Sequence, residues 1–196
     1  MRVNFYIIKY FILSLFVLIS CKKETSIKGD KIYTTWSSYL GDSGRSHFTT
    51  LNQITPENVS QLEVAWRYEA PDWGQMQMNP LVVDSLVYGV TAALRVVALH
   101  AETGKELWQF GDSIQVWHST SRGVSFWEKG NDKRILCTRG AYLYALDALT
   151  GIPIPSFGKD GKIDMRSGMP ESAKEKFVIS NTPGTVFKDL IVMPLR

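Results

Sequence analysis

Cysteine is nearly missing from this 196-residue chain, which holds only Cys21 and Cys137. Two thiols cannot form a disulfide framework, and no Cys-x-x-Cys redox pair or Cys-x-x-Cys-His haem attachment is present. Cys137 lies in the apolar run Arg134-Ile-Leu-Cys-Thr, where a buried small hydrophobe is expected rather than a reactive centre. There is no Gly-x-Ser-x-Gly and no glycine-rich phosphate loop, so serine-hydrolase and nucleotide-loop chemistry are excluded as readings. Charge of one sign is also lacking: 22 basic residues face 19 acidic ones. Two of the basic residues, Arg2 and Lys9, fall within the first 20, and the remaining 20 leave a formal charge of only +1. No nucleic-acid partner follows from that balance. Helical periodicity is scarce, and the one long apolar run, residues 10–19, is interrupted by Ser14. It is too short to cross a bilayer of about 30 Å as a stable helix.

That run therefore reads as a signal peptide over residues 1–20, with Arg2 and Lys9 as its positive start. Leu18-Ile19-Ser20-Cys21 resembles a bacterial lipobox, in which Cys21 is acylated and becomes the new N-terminus. An uncleaved anchor with an incidental cysteine is the alternative. Acyl chains on Cys21 would hold the protein on a membrane surface, with residues 21–32 as lipidated cysteine and polar tether. The expected location is the bacterial cell envelope, facing the periplasm or the cell exterior. Residues 33–196 then make the folded part, and nothing in their composition is that of a disordered segment.

What the folded part does contain is a repeat. Ala98-Leu-His-Ala-Glu-Thr-Gly104-Lys-Glu-Leu-Trp108 returns 47 positions later as Ala145-Leu-Asp-Ala-Leu-Thr-Gly151-Ile-Pro-Ile-Pro155. A period of about 40 to 50 residues built from short strands points to propeller blades. Strands are expected at 64–68, 81–83, 86–91, 96–100, 107–110, 124–127, 135–138, 142–146 and, with a break, 186–193. Asp84-Ser85 and Lys188-Asp189 read as hairpin connections, each following a proline, Pro80 or Pro183. Helical turns are expected only at 56–62, opened by Thr55 with Pro56 in first position, and at 171–177. Trp66, Trp108 and Phe157 fall at the ends of the repeating units, where a flat ring can wedge between blades.

The repeat resembles the tryptophan-docking motif of the pyrroloquinoline quinone (PQQ) dehydrogenases, eight-bladed propellers that oxidise alcohols or sugars. Trp36-Ser-Ser-Tyr-Leu-Gly-Asp42-Ser-Gly-Arg45-Ser-His-Phe is similar to that family's opening segment, and so is Leu51-Asn-Gln-Ile-Thr-Pro-Glu-Asn-Val-Ser-Gln-Leu. Ser121-Arg-Gly-Val-Ser-Phe-Trp127 and Leu143-Tyr-Ala-Leu-Asp-Ala-Leu-Thr-Gly-Ile-Pro-Ile-Pro-Ser-Phe-Gly158 extend the resemblance. It covers about residues 33–193 and lies nearest the membrane-associated glucose and quinate dehydrogenase branch. The fold it implies is an all-β propeller of the eight-bladed quinoprotein type, with about three to four blades present.

The same resemblance implies four site residues. Arg45 and Arg122 match arginines close to PQQ, a compact ortho-quinone with three carboxylates that a guanidinium fork grips with paired hydrogen bonds. His118 matches a histidine that faces the quinone and the substrate in the sugar-oxidising branch. Thr182 matches a cofactor contact. An isolated arginine is ordinarily a solvated surface residue, and a lone histidine a packing one, so the motif alone lifts these positions above that. His47 and His100 lack such a context and read as structural, His100 standing where the repeat usually has aspartate. Asp160 and Asp164 fall short of a calcium loop and read as a turn. The resemblance places the divalent ion's ligands (calcium or magnesium), the aspartate base and a lysine near the quinone in later parts of the family's chains.

The expected function is therefore that of an N-terminal portion, from a truncated, split or frameshifted gene, of a PQQ-dependent dehydrogenase. The family reaction oxidises a sugar or alcohol hydroxyl and passes electrons to quinone or cytochrome c. The chain alone is expected to be inactive, with a possible partner chain supplying the missing blades. A non-catalytic propeller lipoprotein acting as an assembly scaffold is the alternative, though it would have no use for Arg45, His118 and Arg122. A small closed four-bladed propeller fits the irregular repeat spacing less well.

Overall fold

Short strands separated by tight turns can only pair with their neighbours, and the sheets follow sequence order throughout. A computed structural model describes residues 35–112 and 120–196, which lie in one unit spanning Tyr33–Arg196. The expected signal peptide and the lipidated Cys21 lie outside the described residues. The first sheet is an antiparallel meander of β1 (Leu81–Val83), β2 (Leu86–Val90), β3 (Val96–His100) and β4 (Glu106–Phe110). The second joins β5 (Ser125–Lys129), β6 (Asp132–Arg139), β7 (Tyr142–Asp147) and β8 (Lys162–Asp164) in the same way. A two-stranded hairpin of β9 (Thr185–Phe187) and β10 (Leu190–Val192) follows. Among the described residues helix is confined to a 3-10 turn, Val59–Gln61, and one turn of α1, Glu171–Lys174. Two four-stranded blades and a hairpin thus make up part of an all-β propeller.

Both faces of the inner strands are buried, which explains apolar runs where a one-faced sheet would alternate. All of Val96, Val97, Ala98 and Leu99 are buried in β3, whereas β4 buries Trp108 alone. Successive side chains of β6 point to opposite faces. Ile135 and Cys137 join the core shared with the first sheet, and Leu136 joins the one shared with Val186 and Ile191 of the hairpin.

Tryptophan ties each unit to the next. The Trp66 Nε1–H donates to the Ala101 carbonyl at 3.0 Å, and the Trp108 Nε1–H to the Ala148 carbonyl at 3.1 Å. Tyr88 donates its hydroxyl to that same Ala148 carbonyl at 3.1 Å, so one oxygen uses both lone pairs. Three residues beyond each alanine, Gly104 and Gly151 adopt φ of +69° and +71°. A Cβ on either would lie 2.5 Å from the indole ring, so the motif needs glycine for both its backbone and its space. Burying one such ring contributes on the order of 2–3 kcal/mol. Ahead of Gly151, Asp147 accepts the Leu149 and Thr150 amides; in the first copy the His100 ring reaches only the Thr103 hydroxyl. Phe157 packs beside Leu136 and Leu143, while Pro155 is exposed.

Some expectations require correction. Residues 64–68 pair with no strand among the described residues; Val64 is exposed, and the segment is held by Trp66 and by the Tyr68 hydroxyl on Glu106. An alternating pattern cannot form a ladder without a neighbour's edge. The turn at 56–62 is 3-10 rather than α. The Thr55 carbonyl receives the Asn58 and Val59 amides as an opening residue should, but none of its three residues is buried to extend it. Strand β8 has no counterpart among the expected ones. Sequence reading also missed Arg139, whose guanidinium is buried and donates to the Leu94 and Asp112 carbonyls at 2.6 Å each. It straps the start of the β6–β7 turn to two loops of the first sheet.

Two outcomes test this packing. Gly151→Ala should cost on the order of 3 kcal/mol in urea unfolding, from overpacking and strain together. Gly130→Ala, also at positive φ but facing open space, should cost about 1 kcal/mol. Burial pushes the Cys137 thiol up to about 12. In a Cys21→Ser background it should stay unreactive to a disulfide reagent at pH 8 and react only on unfolding.

Candidate functional site

The first strand of each sheet is preceded by a short polar segment, and main-chain hydrogen bonds join these segments in order. The Asn79 amide donates to the Arg122 carbonyl at 3.0 Å, and the Arg122 amide donates to the Asn181 carbonyl at 2.8 Å. One residue further, Gly123 has φ +130°, and a Cβ there would sit 2.7 Å from the Asn79 carbonyl oxygen. This close approach is why glycine is needed at 123. Side chains tighten the stitching. The Ser125 hydroxyl donates to the Gly184 carbonyl at 2.6 Å, and Thr138 to the Ser180 carbonyl at 2.9 Å. The Ser180 hydroxyl in turn donates to the Thr182 carbonyl at 3.0 Å.

A cleft of about 420 Å³ opens beside this stitch, within the usual size range of small-ligand sites. Its polar lining comes from Gln77, Thr120, Arg122, Asn181, Thr182 and Arg196, with an apolar wall from Ile179, Pro194 and Leu195. Among the described residues no acidic side chain lines it. Arg122 is exposed, and its guanidinium has no hydrogen-bond or ion-pair partner among the described residues. Thr120 donates to the Gln77 side-chain carbonyl at 3.1 Å across the cleft wall. The cleft therefore offers cationic and neutral polar side chains among the described residues.

Arg122 and Thr182, both singled out in the sequence, meet here. Arg45 does not join them: it lines a separate depression of about 70 Å³ with Tyr39, Asp42 and Thr185. Its Nη2 donates to the Thr185 hydroxyl at 3.2 Å, and its guanidinium lies 5.7 Å from the Tyr39 ring centroid. Thr182 lines the first cavity and Gly184 the second, so the two are separated along the chain by the buried Pro183. His118 lies outside the described residues.

Gln77, Thr120, Asn181 and Arg196 were not anticipated. A signal existed for two of them, since Gln77 and Asn181 fall just ahead of Pro80 and Pro183, which open the first strands of their units. Asp160 sits in a turn at φ +53°, and Asp164 is gripped by Arg166, with Nη2 at 2.8 Å and Nε at 2.9 Å. Those hydrogen bonds pull the Asp164 carboxyl down to about 2. Among the described residues no three His, Cys, Asp or Glu side chains gather where they could hold a metal ion. Gly123→Ala is the test of the stitch. It should break the Asn79–Arg122 hydrogen bond and lower stability by roughly 2–4 kcal/mol in urea unfolding, with wild-type behaviour refuting the geometry.

Comparison with known proteins shows the family. Residues 36–195 match the family model described as PQQ: glucose/ethanol/alcohol dehydrogenase, beta-propeller domain. The quinate/shikimate dehydrogenase (quinone) of Acinetobacter baylyi is 27% identical over 195 residues, covering 83% of this chain and 24% of that protein. The dehydrogenase subunit of the Gluconobacter oxydans alcohol dehydrogenase (quinone) is 30% identical over 161 residues, covering 74% and 21%. Among solved structures, the quinohemoprotein alcohol dehydrogenase of Comamonas testosteroni superposes with a TM-score of 0.66 at 23% identity, covering 83% of this chain and 23% of that one. The chain spans about a quarter of the length of these relatives. It belongs to the family of PQQ-dependent glucose, ethanol and alcohol dehydrogenases and carries part of their β-propeller.

Proposed function

We propose that the cleft beside Arg122 and Thr182 is a PQQ half-site, and that the chain contributes it to a dehydrogenase acting on sugar or alcohol hydroxyls. The observation that carries this reading is a cavity of about 420 Å³ lined, among the described residues, by guanidinium and neutral polar groups with no acidic side chain. A tricarboxylate fits such a lining, because each charge-assisted hydrogen bond to it is about twice as strong as a neutral one. Bound PQQ would supply the oxidant, an ortho-quinone that takes up two electrons and two protons from a CH–OH group, one hydrogen from carbon and one from oxygen. Arg122 holds a carboxylate with its free fork, its backbone fixed on both sides by Asn79 and Asn181. Thr182 offers a hydroxyl at the cleft wall. Arg45 is a second cofactor contact, from the neighbouring depression, and His118 faces the substrate oxygen.

The rest of the reading follows the family. Residues 1–20 direct export, Cys21 carries the lipid, residues 21–32 form the tether, and 33–196 form the propeller part, anchored in the cell envelope and facing the periplasm or the cell exterior. Electrons leave to quinone or cytochrome c. Similar proteins are named for quinate or shikimate, alcohol and glycerol, so a hydroxylated small molecule is the substrate class. The divalent ion, calcium or magnesium, is held by residues of further blades. On this account the chain alone binds PQQ without turning over substrate, and a partner chain supplies those blades.

The test is titration of PQQ into the full chain in detergent, followed by tryptophan quenching, with Arg122→Ala alongside. Binding that weakens on the order of tenfold in the variant supports the half-site. A folded chain that binds no PQQ removes it and leaves the scaffold reading.

A further inference from the structure

We infer that Arg196 is the second anion-binding side chain of this cleft, working with Arg122 to select a ligand that carries more than one carboxylate. The inference rests on the reading of the cleft as a PQQ half-site and adds to it a residue that no sequence motif marked.

Arg196 is fixed in place by its backbone. Its amide donates to the Ile179 carbonyl and its main-chain oxygen accepts the Ile179 amide, both at 3.0 Å. Ile179 itself lies in the buried run Val178, Ile179, Ser180. A residue held by such a reciprocal pair to a buried segment projects its side chain in a defined direction. Two residues further along that segment, the Asn181 carbonyl accepts the Arg122 amide at 2.8 Å. Both arginines thus hang from one short stretch, 179–181, and both line the same cavity of about 420 Å³.

Neither guanidinium has a carboxylate partner among the described residues. Other basic side chains are ion-paired, Arg134 with Asp132, Arg166 with Asp164, Lys129 with Asp189 and Lys133 with Asp84. Several more on the surface are not, so what sets Arg122 and Arg196 apart is that they line one cavity. Two cations held in one cavity repel each other, and an anion between them relieves that repulsion. A monocarboxylate satisfies one fork, whereas a polycarboxylate can satisfy both. Gln77, Thr120 and Asn181 line the space alongside and can hydrogen-bond uncharged oxygens of the same ligand.

The experiment compares the full chain with R196Q, R196K and R122Q, titrating PQQ and its trimethyl ester, which keeps the ring system but lacks the charges. Near-UV circular dichroism verifies that each exposed substitution leaves the fold intact. The expected result for R196Q is PQQ binding weaker by about five- to tenfold, a shallower salt dependence, and unchanged ester binding. R196K should recover part of the loss. Equal weakening of PQQ and ester in R196Q would show Arg196 acting through structure and overturn the inference. So would weakening in R122Q with none in R196Q, an outcome that leaves the half-site standing. No PQQ binding by the folded wild-type chain overturns both.

Discussion

An indole N–H given to the alanine carbonyl of the following unit, over a glycine that leaves room for the ring, is the contact on which the remaining structure depends. Trp66 on Ala101 and Gly104, then Trp108 on Ala148 and Gly151, set the same spacing twice. A propeller blade has no internal core, so its stability is largely the sum of such neighbour contacts. The tryptophan supplies both apolar area and direction. Its hydrogen bond is made only when the two sheets meet at one angle, and the glycine admits only that approach. Tyr88, sharing the Ala148 oxygen, adds a second strut from the same side.

Fixing the sheets this way brings the beginnings of their first strands together. The chain there is polar and turns sharply, and its main-chain groups cannot be paired within any one sheet. They pair across sheets instead, Asn79 with Arg122 and Arg122 with Asn181. A side chain placed on such a stitch is held by its backbone while its head stays free, which is what an anion-binding arginine requires. Arg122 satisfies both conditions. Architecture and binding chemistry are therefore coupled at Gly123, where one added methyl group would push apart the backbones that carry the site.

Much of the architecture was legible because the docking motif is local. Ala-x-x-Gly with a following tryptophan can be read within 11 residues, and the Asp84-Ser85 and Lys188-Asp189 turns join the strands they were expected to join. Arg122 and Thr182 were singled out individually, through family resemblance, and both line one cleft. What escaped was non-local. Residues 64–68 carry a strand-like pattern, but pairing depends on an edge that pattern cannot encode. Arg139 looks like any surface arginine until Leu94 and Asp112 place their carbonyls around it. Arg196 enters the cleft only through its pairing with Ile179, 17 positions earlier. Arg45 shows the converse, a motif residue that the fold directs to a neighbouring depression.

Amide hydrogen exchange on the full chain, with and without PQQ, tests the central claim that a cross-sheet stitch carries the cofactor half-site. The account predicts that the Asn79 and Arg122 amides are protected in the free chain nearly to the level of the β3 and β6 cores, and that PQQ slows them further. Exchange of both amides at the rate of an unstructured peptide, unchanged by PQQ, would contradict it.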